Sequence, residues 1–421
     1  MKRLVVAALL LAPSVGVTVV EARAADLPTM PVKAVGQSAD KVWTSTATLD
    51  VRYSSWTSTY GFPTYAPPLS GQGKGTQVYV PFALLTSGSP FADWKFDFGL
   101  RSGYVFARQS TPGLTGEVST LTDTALSGTA TYTALDAIVP FLSMNINAPT
   151  GKAALYGADR FARMDPDLVD VPTYGEGWNF APTLGANFAI TKDLIITPSV
   201  GYTQRNAFTK EGNIDPVTHA QPGVNFDPGD VTTLSLGAAY AIGQFSINTS
   251  VAYAKESTTY QDGIAQYRAG DRVTVSGTAG YAWNDAWRST LSGYWTYSRK
   301  NDVNPGGVNA LVLEAFNSNN TVYRINLDTT YSNGPWSIGP VASYLERDAN
   351  AYSSTTFQFI PAKQRYSLGA VGGYATSATT SVNVRIERIW THEGGNDAFA
   401  PVIPAINSQG WLLTGGGVIT F

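Results

Sequence analysis

The sequence predicts an all-β fold, an antiparallel barrel of about 16 strands that crosses a membrane. Three observations predict it. The chain ends in a long alternating segment with an aromatic last residue, similar alternation recurs upstream, and short turns alternate with long polar segments.

The terminal segment, 409–421, reads QGWLLTGGGVITF. Trp411, Leu413, Ile419 and Phe421 fall on one parity, and Thr414 and Thr420 on the other. The length suits a strand that spans a bilayer, which needs about 9 to 11 residues. Many bacterial outer-membrane barrels end in an aromatic residue that the assembly machinery reads. Phe421 is expected to serve that machinery as its contact.

Alternation recurs upstream. In 42–53, Trp43, Ala47, Leu49, Val51 and Tyr53 oppose Thr44, Thr46, Thr48, Asp50 and Arg52. In 93–108, Trp94, Phe96, Phe98 and Leu100 oppose Lys95, Asp97, Gly99 and Arg101. In 379–391, Val382, Val384 and Ile386 oppose Asn383, Arg385 and Glu387. A period of two with this contrast is a half-buried strand. These runs are about twice the usual 5 to 6 residues of a soluble strand.

Short breakers stand at Lys192-Asp193, Gly243-Gln244, Asn284-Asp285, Asn333-Gly334 and Ser377-Ala378, 41 to 51 residues apart. Longer polar segments lie between them, at 206–229, 257–269, 300–319, 347–362 and 392–408. Tight turns at one end and long loops at the other mark an outer-membrane barrel. The expected strands are 42–53, 75–86, 93–108, 123–134, 139–148, 177–191, 194–205, 229–242, 244–256, 270–283, 286–299, 320–332, 335–346, 363–376, 379–391 and 409–421. Pro140 and Asp136 blur the fourth and fifth, and a count of 14 follows if that pair is misread. An even number places both termini in the periplasm.

The barrel is expected over 42–421, after two segments outside it. Residues 1–24 read as a secretory signal: Lys2 and Arg3, the apolar run LVVAALLLA, and a small-x-small site at Ala22-Arg23-Ala24. Residues 25–41 are aperiodic and contain proline, which suits a flexible periplasmic lead-in. No second apolar run reaches the roughly 20 residues of a spanning helix. Removing Lys2, Arg3, Arg23 and Glu21 leaves 25 basic and 30 acidic residues. That balance gives no reason to expect nucleic acid as a partner. Charged residues are only 14% and aromatics 12% of the chain, as suits an outer face turned to lipid. Outer-membrane lipid and lipopolysaccharide are therefore expected partners.

Tryptophans and tyrosines cluster near strand ends. Trp43, Trp94, Trp283, Trp287, Trp336 and Phe421 fall at the periplasmic end. Tyr53, Trp178, Tyr202, Trp295, Tyr297, Trp390 and Trp411 fall at the outer end. They read as the two girdles that anchor rings at headgroup level.

A barrel of 16 strands leaves an aqueous interior, so the opposite parity decides what passes. It carries Arg52, Lys95, Arg101, Arg205, Arg272, Arg288, Arg324, Arg365 and Arg385 against Asp50, Asp97, Asp328 and Glu387. An arginine facing lipid at midplane costs about 2–4 kcal/mol, so inward placement is forced while the sign is not. Nine basic against four acidic groups would focus a field that favours anions or carboxylates. The alternative is a structural network in which these cations pair with acids. The expected activity is passive diffusion of small solutes. The alternatives are transport of aromatic or hydrophobic compounds, or a structural barrel without flux. A homotrimer is one expected assembly.

The longest loop, 149–175, either folds into the barrel or lies on its surface. Its run Asp165-Pro166-Asp167-Leu168-Val169-Asp170 offers carboxylates without the Gly-and-Glu frame of a calcium loop. No cysteine is present, the only histidines are His219 and His392, and no G-x-S-x-G or H-E-x-x-H occurs. No catalytic site, metal site or cofactor is therefore expected.

One stretch carries a resemblance. SMNINAPTGK at 143–152, GEGWNFAPTLGANFAITKDLIITPSVGYTQRN at 175–206 and NFDPGDVTTLSLGAAYAI at 225–242 look like the outer-membrane family linked to the meta-pathway of phenol degradation. The resemblance implies a transporter of aromatic or other hydrophobic small molecules. Its matching positions are Pro149, Thr150, Gly151, Trp178, Phe180, Pro182, Pro228, Gly229 and Asp230. They read first as turn and packing residues. The strand count exceeds that of the smaller barrels this family suggests.

Overall fold

A computed structural model describes residues 43–60, 71–135, 137–213, 220–306, 309–398 and 402–421. The signal segment 1–24, the lead-in 25–41, Asp136 and His219 lie outside the described residues.

Sixteen antiparallel strands form one closed sheet. They are β1 (Trp43–Ser58), β2 (Gly73–Phe91), β3 (Trp94–Thr111), β4 (Thr124–Tyr132), β5 (Ile138–Ala148), β6 (Asn179–Ala189), β7 (Leu194–Arg205) and β8 (Val231–Ile242). The second half comprises β9 (Phe245–Glu256), β10 (Arg272–Ala282), β11 (Trp287–Ser298), β12 (Val322–Asn333), β13 (Trp336–Arg347), β14 (Lys363–Ala375), β15 (Thr380–Glu393) and β16 (Ile406–Thr420). Each pairs with its neighbours in sequence, and β1 pairs with β16 from Thr46↔Thr420 to Ser58↔Ser408, which closes the sheet. The uncertain pair resolves as β4 and β5, so the count is 16. Pro140, opposite Ala186, stands inside β5 rather than at a turn.

Burial follows the pleat. In β1, Leu49, Val51 and Tyr53 are exposed while Asp50, Arg52, Ser54 and Trp56 are buried. In β15, Val382, Val384, Ile386 and Trp390 are exposed while Glu387, Ile389 and Thr391 are buried. An apolar face turned outward and a polar face turned inward is the reverse of a soluble sandwich. Closure leaves no strand edge among lipids. The chain is a β-barrel of the Gram-negative outer membrane. No helix among the described residues is long and apolar enough to cross a membrane, and the strands do so instead.

Two features lie outside the expected strand list. Leu114–Leu121 is a strand hairpinned onto the outer half of β3, from Tyr104↔Leu121 to Thr111↔Leu114. β4 takes over the inner half, from Trp94↔Tyr132 to Arg101↔Ala125. Three of the long loops also form a second sheet of six short strands: Phe208–Glu211, Gly223–Asp227, Thr259–Gln261, Ile264–Arg268, Asp302–Val303 and Val312–Leu313.

Candidate functional site: the inner wall and the loop beneath it

The loop after β5, 149–178, folds inward. Leu155, Ala162, Met164, Leu168, Val169, Val171 and Tyr174 form one buried cluster with Trp56 of β1, Val105 and Ala107 of β3, Val118 of the added hairpin and Ile389 of β15. The wall residues of that cluster stand on the inward parity. The loop therefore runs beneath an arc of wall. Its polar contacts continue the arc. Gln77 of β2 donates to the Val171 carbonyl at 2.7 Å and accepts its N–H at 2.9 Å. The Trp56 indole donates to the Met164 sulfur at 3.4 Å. Farther round, Lys363 of β14 pairs with Asp165 and lies 3.2 Å from Asp167, and Arg347 of β13 lies 3.7 Å from Asp167. Two of the three carboxylates considered for calcium, Asp165 and Asp167, are thus engaged by cations.

Both ends of the loop are fastened at Asp123, just before β4. Its carboxylate accepts from Gly151 N–H at 2.9 Å, Glu176 N–H at 2.7 Å and the Asn147 amide at 2.7 Å. Gly151 has to be glycine, because a Cβ there would lie 1.8 Å from the Tyr174 carbonyl oxygen. Burial pushes the Asp123 and Glu176 carboxyls above their usual range, against the hydrogen bonds they accept. Burial likewise pushes the Tyr174 phenol up. The far side of the loop is held by Arg163, paired with Glu211, which also accepts from Leu155 N–H at 3.0 Å.

The charged wall residues fall into two groups. Most have an acidic or polar neighbour. Arg52 donates to Asp50 at 3.1 Å, with both side chains 7% exposed, and its guanidinium lies 6.0 Å from the Tyr79 ring centre. Arg385 reaches Glu387 at 2.7 Å and, across two strands, Asp328 at 3.2 Å. Glu387 also accepts from Ser367 at 2.6 Å, and Ser367 and Arg365 both meet Ser343. Lys95 lies 3.0 Å from Asp97. Arg324 donates to Asn326 at 3.1 Å. Arg205 lies 2.6 Å from Glu256, and Arg272 shares a small cleft with the same Glu256.

Arg101 and Arg288 form the second group. Both are exposed, and neither makes an ion pair among the described residues. The expected tally of four acids was short. Glu256, Glu393, Asp165 and Asp167 also meet inward cations. The two aspartates sit in the loop, beyond the reach of strand parity, whereas Glu256 stands on the inward parity of 244–256 and Lys363, on that of 363–376, was likewise left out of the tally.

The positions that carry the family resemblance act as corners. Asp230 accepts from Arg205 N–H at 2.9 Å and from the Tyr202 hydroxyl at 2.5 Å. Gly229 lies against the Ser257 carbonyl, where a Cβ would come within 2.0 Å. Trp178 stacks on Phe180 with ring centres 6.1 Å apart. His392 Nδ1 lies 2.8 Å from Asn407 Oδ1 at the outer rim.

No protein-family model matches the chain, and no curated protein is similar to it in sequence. Among solved structures, it is similar to a FadL homologue of Pseudomonas aeruginosa, at 11% identity over 89% of this chain and 90% of that one, with a TM-score of 0.43. It is also similar to Pseudomonas aeruginosa OpdQ, at 11% identity over 90% and 99% of the two chains, with a TM-score of 0.41. An outer membrane channel of Pseudomonas putida F1 matches at 15% identity over 60% of this chain and 88% of that one, with a TM-score of 0.38.

Proposed function

We propose that the barrel is a passive outer-membrane channel for small polar solutes, with a mild preference for anions or carboxylates. One observation carries the reading. The inward face is polar and charged, most of its charge is paired, and the exposed wall residues that make no ion pair among the described residues, Arg101 and Arg288, are both positive. A passing anion meets hydrogen-bonding side chains and a small positive excess rather than a strong trap. Conduction needs such weak sites, since a solute has to leave as readily as it enters. The inward loop narrows the route and sets an upper size for the solute. In this reading Arg52, Lys95, Asp97, Arg101, Arg205, Arg272, Arg288, Arg324, Asp328, Arg365, Arg385 and Glu387 line the pore.

The resemblance of 143–242 to the phenol-degradation family supports a second reading, uptake of aromatic compounds. The two converge on an aromatic carboxylate, which has both an apolar ring and an anionic group. Planar-bilayer recording separates them. Steady ohmic current supports the channel. Absent current, together with aromatic-acid uptake that depends on the protein, supports the second reading. We further propose that Phe421, exposed beside β1 with its N–H bonded to Ser45, is the contact for the assembly machinery. Cross-linking in solution tests the homotrimer.

A further inference from the structure

The outward face near the extracellular rim carries a cationic patch that the channel reading does not use. Register places Arg388, Trp411, Ser55, Thr76 and Arg108 side by side in one row across β15, β16, β1, β2 and β3. Lys74, paired with Thr57 and Ser110, stands in the next outward-facing row toward the rim. Together they line a depression of about 850 Å³.

Three cations on this face run against expectation, since charge on the lipid side is costly at midplane and tolerated only toward the interface. The row directly beneath, on the membrane side, is apolar: Ile386, Leu413, Tyr53, Val78 and Phe106. The surface is therefore amphiphilic in the order of a lipid, with cations and hydroxyls above and apolar side chains below. Strands about 4.8 Å apart, with Lys74 one outward row nearer the rim, put the backbones of Arg388 and Lys74 about 16 Å from each other, so the cations can grip two separated anionic groups.

The cations are also held ready. Arg388 donates to Gln409 at 2.5 Å and lies 5.1 Å from the Trp411 ring centre, which fixes its plane. Lys74 makes no ion pair among the described residues. Arg108 has Glu117 at 3.8 Å, beyond hydrogen-bond length, with both side chains at least half exposed.

We propose that this patch binds a lipopolysaccharide molecule of the outer leaflet through the phosphates on its sugar headgroup, its acyl chains lying on the apolar row below. The inference rests on the outer-membrane placement and not on the channel reading. The test uses the purified barrel in nanodiscs, with native mass spectrometry counting bound lipopolysaccharide. Its arms compare intact lipopolysaccharide, the same lipid after phosphatase treatment, and inorganic phosphate. The variant Lys74→Ala/Arg108→Ala/Arg388→Ala should lower affinity for the intact lipid by about tenfold or more, the scale of losing charge-assisted contacts. Lys255→Ala, an outward cation elsewhere on the barrel, should leave it unchanged. A heat-shifted gel mobility equal to wild type establishes that the variant is folded, and its conductance should be unaltered. Equal binding by the folded variant and wild type would overturn the proposal. So would equal binding of phosphatase-treated lipid, or saturable binding of inorganic phosphate in place of the lipid.

Discussion

Lys363→Met removes the ammonium that fastens the Asp165–Asp167 stretch of the inner loop to the wall. The Lys363 side chain is 9% exposed, and those of Asp165 and Asp167 are 10% and 3% exposed. Deleting one partner of a buried ion pair costs about 3–5 kcal/mol, because the stranded charges stay buried. Arg347 still faces Asp167, so the lower end, about 3 kcal/mol, is the better figure. That loss raises the undocked population of the loop roughly 100-fold. The buried cluster and the Asp123 clasp keep the docked state in the majority. Single-channel recording should show frequent excursions to a larger conductance, and trypsin added outside intact vesicles should cut near Arg160 and Arg163 faster. Adding Asp165→Asn and Asp167→Asn to Lys363→Met should restore quieter traces, since the two charges that remain, Arg347 and Glu393, are opposite and offset each other. Traces and cleavage identical to wild type would refute the view that this ion cluster holds the loop.

Further outcomes follow from the same geometry. Trp56→Ala should lower stability by about 3–5 kcal/mol, seen as a lower temperature for the gel-mobility shift, and Gly75→Leu should act in the same direction by displacing the Trp56 ring. The raised carboxyls of Asp123 and Glu176 mean that the docked loop binds more protons than the undocked one. Docking therefore strengthens as pH falls through the range above their ordinary values of 3.8 and 4.5. Large openings should grow rarer as pH approaches 4.5, and more frequent openings there would contradict the assignment. Arg101→Glu with Arg288→Glu should move selectivity toward cations without loss of folding, measured by reversal potential and gel mobility. Arg385→Glu should instead reduce folded yield, because it sets a third carboxylate beside Asp328 and Glu387.

The wall was legible because its rules are local. Lipid on one side and polar groups on the other write a period of two into Trp94 to Arg101 that needs no partner to be read. Turn residues such as Asn333-Gly334 likewise act on their own backbone, where Gly334 has φ of 58°. The loop was not legible in this way. Asp165 meets Lys363 across 198 residues, and Gln77 meets Val171 across 94. Nothing near Asp165 distinguishes a carboxylate that pairs with a wall lysine from one that meets water. The hairpin 114–121 was missed for a related reason. Its short polar alternation, LTGEVSTL, gains its apolar contact only when Val118 packs on the inner loop. Charge balance suffered most. Parity grouped cations by face but left out Lys363 beside Arg365, and pairing depends on which strand ends and loops arrive beside them.

The central claim is passive conduction with a mild preference for anions, and the zero-current potential of the wild-type barrel across a KCl gradient tests it most directly. The account predicts ohmic current and a potential of the sign set by chloride, modest in size because most wall charge is paired. A potential of the cation sign, or no current at all through correctly folded protein, would contradict it.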